Sequence, residues 1–258
     1  MISVFPYLEG LGWLLLVLGP LLFFQRRLHH EIQLVFLLLT RRPAAALGIF
    51  SLIFFPGVLL HELSHFMMAQ LLMVRTSGFS LMPTVLPGGR LRLGYVEVEG
   101  TDFFRDALIG TAPLISGGLA VAYLAGARLG FTPLADAIWL QNWPRFWDGL
   151  AALPQQTDFW LWFYLAFAVS STMLPSASDR RAWLPLALIG GVLLGLALLA
   201  GAGPWMLEHL SPALNSFLRL LTTIFGISLA LHLVLLVPIV LLRMLLMRAM
   251  RVQLVEVE

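Results

Sequence analysis

Apolar and polar positions alternate along this chain as long apolar runs broken by short polar stretches. Residues 7–24 form the first run, closed by Arg26 and Arg27. No basic segment precedes it and no small-residue cleavage pattern follows, so a retained helix is expected rather than a signal peptide. Residues 28–40 are apolar but too short to cross a bilayer, and they lie between Arg26-Arg27 and Arg41-Arg42. That arrangement predicts an interfacial helix, with His29, His30 and Glu31 as polar residues at the interface. The run 44–74 would measure about 45 Å as a helix against a hydrocarbon core of about 30 Å, so it must tilt, project or bend. Pro56-Gly57 is the expected bend point. Further spans are expected at 103–127, 159–174, 182–200 and 213–242. The Trp-bearing stretch 131–156 reads as an interfacial loop with short amphipathic pieces.

Between residues 76 and 101 the pattern changes. Gly and Pro punctuate short β-prone segments at 79–82 and 90–98, with Leu86-Pro87-Gly88-Gly89 as a hairpin turn. The expected fold class is therefore an all-α polytopic membrane protein of about six transmembrane helices with a small β-hairpin insert. The chain divides into a first helix and interfacial segment (1–43), a membrane core with the insert (44–181), and two C-terminal helices with a short tail (182–258).

Composition agrees with that setting. Of 258 residues, 59% are hydrophobic and 12% charged, with a mean hydropathy of +0.89, values of a multi-pass membrane protein surrounded by lipid rather than a soluble domain. The absence of cysteine excludes disulfides. A net charge of +2 without a basic cluster gives no footprint for nucleic acid. All sixteen basic residues are arginine. No internal repeat or inverted symmetry of the transporter kind is present.

Inside the run 44–74 stands His61-Glu62-Leu63-Ser64-His65. Histidines four apart lie one helical turn from each other on nearly one face, so both can reach one metal ion. The glutamate between them is placed to activate water, the HExxH arrangement of zinc proteases. A charge at mid-bilayer costs about 2.5–3.5 kcal/mol even on a lenient scale, so such a trio points to function.

A catalytic zinc takes three protein ligands and keeps one position open. Asp179, Glu97, Glu99, Glu208, His209 and His232 are the candidates for the third. Counting spans puts Asp179 on the membrane face of His65, and Glu208 and His209 on the other. His232 falls mid-span, where a buried hydrogen-bonded histidine is expected. Glu97 and Glu99 share the correct face and stay open, with Asp179 preferred. With the C-terminus on the face of residues 75–105 and 180–181, arginines divide nine to six, which favours a cytoplasmic catalytic end.

The HExxH in a span followed by a β-rich insert resembles the site-2 protease family of intramembrane zinc metalloproteases. Gly110-Thr111-Ala112-Pro113 is similar to that family's glycine/alanine-proline signature. Thr172-Met173-Leu174-Pro175 followed by Asp179 is similar to its later asparagine-x-x-proline and leucine-aspartate-glycine motif. Thr172 or Ser171 stands for the asparagine, Ser178 for the leucine and Arg180 for the glycine, and the proline-to-aspartate spacing is one residue shorter. Without a soluble PDZ-like insert, the chain resembles a minimal, core-only member. The resemblance implies His61, His65 and Asp179 as Zn2+ ligands, Glu62 as acid/base, a substrate contact at Thr172, and a site facing the cytoplasm of a bacterial or archaeal cell membrane.

The function expected is hydrolysis of peptide bonds in membrane-anchored protein substrates, which must unwind to expose a carbonyl. Strand addition to the insert would hold such a segment, with Leu93 and Val96 as its contacts. The alternative is a non-proteolytic zinc-binding membrane protein, whether transporter, sensor or pseudoprotease.

Overall fold

The computed structural model describes residues 5–85 and 91–251. Its frame is two long helices from the ends of the chain, α1 (Phe5–Thr40) and α9 (Ser211–Met250). They are joined along their length. The Gly10 N–H donates to Asn215 Oδ1 at 3.0 Å, and Glu9 pairs with Arg219 at 2.7 Å. Leu21 packs with Ile224 and Phe225, and Glu31 pairs with Arg243. Residue numbers rise together in these contacts, so α1 and α9 run parallel.

α1 replaces the expected pair of a short span and an interfacial helix. No helix breaker separates residues 24 and 28, and Gln25 and Arg27 find partners without ending the helix: Gln25 donates to the Ser171 carbonyl, and Arg27 pairs with Glu31 one turn on. Glu31 is fully buried, held by Arg27 at 2.7 Å and by Arg243. His29 packs edge-on against Phe50 and Phe54. Neither is the interfacial residue anticipated.

Arg41, at φ 53°, ends α1 in the left-handed region, and Pro43 opens α2 (Pro43–Leu71) two residues later. α2 continues through Pro56. It lies parallel to α6 (Phe159–Thr172): the Tyr164 hydroxyl donates to the Ile53 carbonyl at 2.9 Å, and Gly57 abuts Ala168 and Thr172. A β-carbon at Gly57 would enter the Ala168 carbonyl, so the glycine beside Pro56 sets how closely the two helices approach. α3 (Phe103–Tyr123) is capped by Asp102, whose Oδ1 accepts from the N–H groups of Phe104 and Arg105. It runs back alongside α2 and α6 and ends in a π-helical turn, Leu124–Arg128. Amphipathic α4 (Phe131–Trp139) and α5 (Trp143–Ala152) then lead to α6. Leu21, Val121, Val169, Met173, Ile224 and Phe225 close the core where α1, α3, α6 and α9 meet.

Four described helices are long and apolar enough to cross a membrane, or five if α7 (Trp183–Leu199) and α8 (Gly203–His209), bent by 114°, count as one span. α7 buries no residue and exposes Leu184, Leu188, Val192, Leu193, Leu196 and Leu199, a surface suited to lipid rather than water. The expected fourth span contains α6, whose 14 residues reach about 21 Å and do not cross alone. Six alternating crossings would also leave the first and last helices antiparallel. Here α6 points toward the end where α1 begins, and α7 and α8 carry the chain on to the start of α9 at that same end.

The insert is a pair of two-stranded ladders. β1 (Thr76–Ser80) pairs antiparallel with β4 (Tyr95–Val98), with Phe79 opposite Val96, and β2 (Thr84–Val85) pairs with β3 (Leu91–Arg92). The expected single strand over 90–98 is interrupted at Leu93-Gly94, where the backbone leaves one ladder for the other. The anticipated turn at 86–89 lies outside the described residues.

Candidate metal centre

α2 brings His61 and His65 to one level, and their Nε2 atoms stand 3.2 Å apart. The turn after α6 brings Asp179 to the same point. Its Oδ2 lies 3.6 Å from His61 Nε2 and its Oδ1 3.5 Å from His65 Nε2. These three residues are the one group of metal-ligating side chains of this kind among the described residues. Ligands about 2.0–2.1 Å from a tetrahedral zinc are separated by about 3.3 Å. Here each histidine faces a different oxygen of Asp179, and one ligand atom from each of the three residues lies within 4.8 Å of the others, close enough to converge on one ion.

Both imidazoles are fixed from behind. His61 Nδ1–H donates to the Thr172 carbonyl at 2.7 Å, and His65 Nδ1–H donates to the Ile109 carbonyl at 2.8 Å. Those bonds select the tautomer that leaves each Nε2 lone pair directed at the centre. Ser64, between them in sequence, bonds the Leu60 carbonyl and Ser116, tying α2 to α3.

Asp179 is set by its own loop. The Ser176 N–H donates to Asp179 Oδ2 at 2.7 Å, and the Asp179 N–H returns a bond to Ser176 Oγ at 3.3 Å. Arg181 grips Asp106 at the start of α3 with two 2.7 Å bonds. Gly110 lies directly beneath the Asp179 carbonyl, where a β-carbon would overlap it. Burial opposes the charge of Asp179, but the two facing imidazoles and the Ser176 bond hold its carboxyl well below the usual carboxylate range.

Glu62 is 7% exposed, and no hydrogen bond or salt bridge engages its carboxylate among the described residues. Gly94 covers it: a β-carbon there would stand 2.9 Å from Glu62 Cγ and 3.2 Å from Oε1. A cavity of about 770 Å³ opens over the centre, bordered on one side by residues 92–98 of the insert and on another by Gln25 and His29 of α1.

Of the sequence-predicted site residues, His61, Glu62, His65 and Asp179 converge. Val96 lines the cavity from β4. Leu93 lines it from the break between the ladders and packs against the cluster around Leu28 and Phe54. Thr172 also borders it, but its hydroxyl bonds back to Ala168 and Val169 while its carbonyl holds His61. The other third-ligand candidates stay apart. Glu97 is an exposed residue of β4 and Glu99 is exposed beyond it. His209 stacks on Trp205 in α8, the helix that also holds Glu208. His232 is buried between Ser171 and the Ser228 carbonyl. Sequence reasoning missed Gln25 and His29. Their i, i+4 spacing puts them on one face of α1, the available signal once the helix is known to be continuous. Compared with family models, curated proteins and solved structures, the chain gives no match.

Proposed function

We propose that this protein is an intramembrane metallopeptidase that hydrolyses peptide bonds in membrane-anchored protein substrates, with zinc held by His61, His65 and Asp179. The observation that carries the reading is the convergence of His61, His65 and Asp179, one ligand atom of each within 4.8 Å of the others, with a buried Glu62 beside them that no hydrogen bond or salt bridge engages among the described residues. The resemblance to the site-2 protease family supports the same residues and roles. Zinc in such a site supplies Lewis acidity, lowering the pKa of water toward neutrality and polarising a carbonyl oxygen.

The chain's own groups do the rest. Thr172 and Ile109 hold the imidazoles in the tautomer that ligates. Glu62 accepts a proton as water oxygen bonds to the scissile carbonyl carbon, then delivers it to the amide nitrogen as the C–N bond breaks. Products are a carboxylic acid and an amine, with one water consumed. The long apolar helices restrict access to substrates embedded beside them, and the cavity accepts a segment that has left its helical hydrogen bonds.

A storage or transport site needs ligands but has no use for an unengaged carboxylate at position 62. Glu62→Gln tests this directly. The variant retains one zinc per chain and loses cleavage of a membrane-anchored substrate by about 10²-fold or more. Loss of metal in Glu62→Gln would make the residue structural, and wild-type protein without stoichiometric metal would overturn the proposal.

A further inference from the structure

Two residues that border the same cavity each carry a buried polar atom with no hydrogen-bond partner among the described residues: Gln25 Oε1 and His29 Nε2. Their positions are fixed by other contacts. Gln25 Nε2 donates to the Ser171 carbonyl at 2.7 Å, which points the amide oxygen away from that bond. The His29 ring is wedged between Phe50 and Phe54, with centroids at 5.7 and 4.8 Å. Nearby His232 already spends both nitrogens on Ser171 and the Ser228 carbonyl. Buried polar groups in native proteins are paired, so a fixed orphan pair on residues that border a cavity calls for a ligand that supplies partners.

We infer that Gln25 and His29 form a subsite for the backbone of an unwound substrate, on the α1 wall of the cavity that contains the metal centre. The inference rests on the peptidase reading above and names the form in which substrate is held. Gln25 Oε1 can only accept, and His29 Nε2 as N–H can donate, so together they match one N–H and one C=O. Four residues along a helix advance about 6 Å. An extended peptide presents N–H and C=O on one edge and repeats that edge every two residues, about 6.6–6.8 Å, so one strand can meet both groups. The pair offers no fixed cation for a carboxylate or phosphate, and Val58, Leu93 and Ile109 supply apolar lining. The insert forms the other wall. The Glu99 N–H bonds to the Arg75 carbonyl on the β1 side, and strand alternation then turns the Val96 backbone toward the free edge of β4. A substrate strand would be gripped along both edges, by β4 and by α1.

The test uses zinc-loaded full-length protein in detergent and binding as the readout. The probes are acetohydroxamate, two leucine tripeptide hydroxamates extending to either side of the metal-binding group, and the same tripeptides N-methylated at each amide in turn. Wild-type protein should bind at least one tripeptide about tenfold more tightly than acetohydroxamate, and one N-methylation should remove that gain. Gln25→Met and His29→Phe, which preserve size and ring packing, should lose the same factor while acetohydroxamate affinity stays within about twofold. In Gln25→Met the critical N-methylation should have no further effect. N-methylation is read on the wild type alone, so the test survives a variant that fails to fold. Tripeptides that gain nothing, or N-methylation that costs nothing anywhere, would overturn the subsite and leave the metal centre standing. Failure of acetohydroxamate to bind zinc-loaded protein would overturn both.

Discussion

Alanine is a better helix former than glycine by about 1 kcal/mol, so Gly110→Ala within α3 would stabilise the protein if the position were open. It is closed by the Asp179 carbonyl. The expected outcome is the reverse: displacement of the Asp179 loop and at least a tenfold loss of zinc affinity, read by competition with a chelator, while helix content by circular dichroism stays unchanged. Unaltered affinity in Gly110→Ala would mean that the loop does not depend on this contact. Zinc affinity should also depend on pH in a particular way. Asp179 is held below the usual carboxylate range, so it stays ionised through mild acid and contributes no proton uptake there. The histidines must be neutral to ligate, so any loss of zinc affinity in acid should come from the imidazoles alone, with a slope approaching two protons per zinc. A slope of one would indicate a single histidine ligand. At this scale the sequence was highly legible, because HExxH spacing is a local property of one helix. The orphan pair on α1 was not legible, since its burial is made by residues of other helices, Phe50 and Phe54 of α2 against His29 and Ser171 of α6 against Gln25.

Among the elements, the insert departs most from the pattern expected of it. A run of β-prone residues predicted one strand over 90–98, and Gly94 was visible in it, yet nothing local reveals that this glycine must yield to the Glu62 side chain. The break separates the two residues expected to hold substrate. Leu93 belongs to no ladder and packs into the core, whereas Val96 sits in β4 with its backbone turned to the free edge. Proline at 96 removes an N–H that the β1–β4 ladder does not use, and edge strands tolerate proline. Val96→Pro should therefore lower cleavage about tenfold or more, with zinc content and thermal midpoint close to wild type. A control, Val96→Thr, keeps the N–H and should keep activity. If both variants cleave equally, substrate does not pair with β4. Equal loss of activity, metal and stability in Val96→Pro would instead make the strand a structural cover for Glu62.

For the whole molecule, hydrophobic runs gave the correct material, but four or five described helices are long and apolar enough to cross where about six spans were expected. Run length distinguishes apolar from polar and says nothing of direction, and direction here is carried by pairs far apart in sequence. Glu9 with Arg219 and Glu31 with Arg243 fix α1 and α9 as parallel, while Ile53 with Tyr164 and His61 with Thr172 fix α2 and α6 as parallel. The Asp179 loop remains at the level of the histidines, as span counting required, but the C-terminal arginines move to the end that holds Arg41 and Arg42. That transfer reverses the nine-to-six arginine division, so the charge bias no longer favours a cytoplasmic catalytic end. The native chain has no cysteine, which makes the arrangement directly testable by single-cysteine labelling. Cysteines at Arg41 and Arg251 should react with a membrane-impermeant maleimide from one side, and those at Ser77 and Gly203 from the other. An alternating six-span chain would instead label Arg251 together with Ser77, and Gly203 together with Arg41. The outcome also bears on the frame itself: if Arg251 labels with Ser77, then α9 is antiparallel to α1 and Arg243 cannot reach Glu31. In the parallel arrangement, Glu31→Gln removes the charge that Arg243 requires in a buried setting, and the cost should be about 3–5 kcal/mol of stability. Pairing that variant with Arg243→Met should recover much of the loss, because neither charge is then left buried alone.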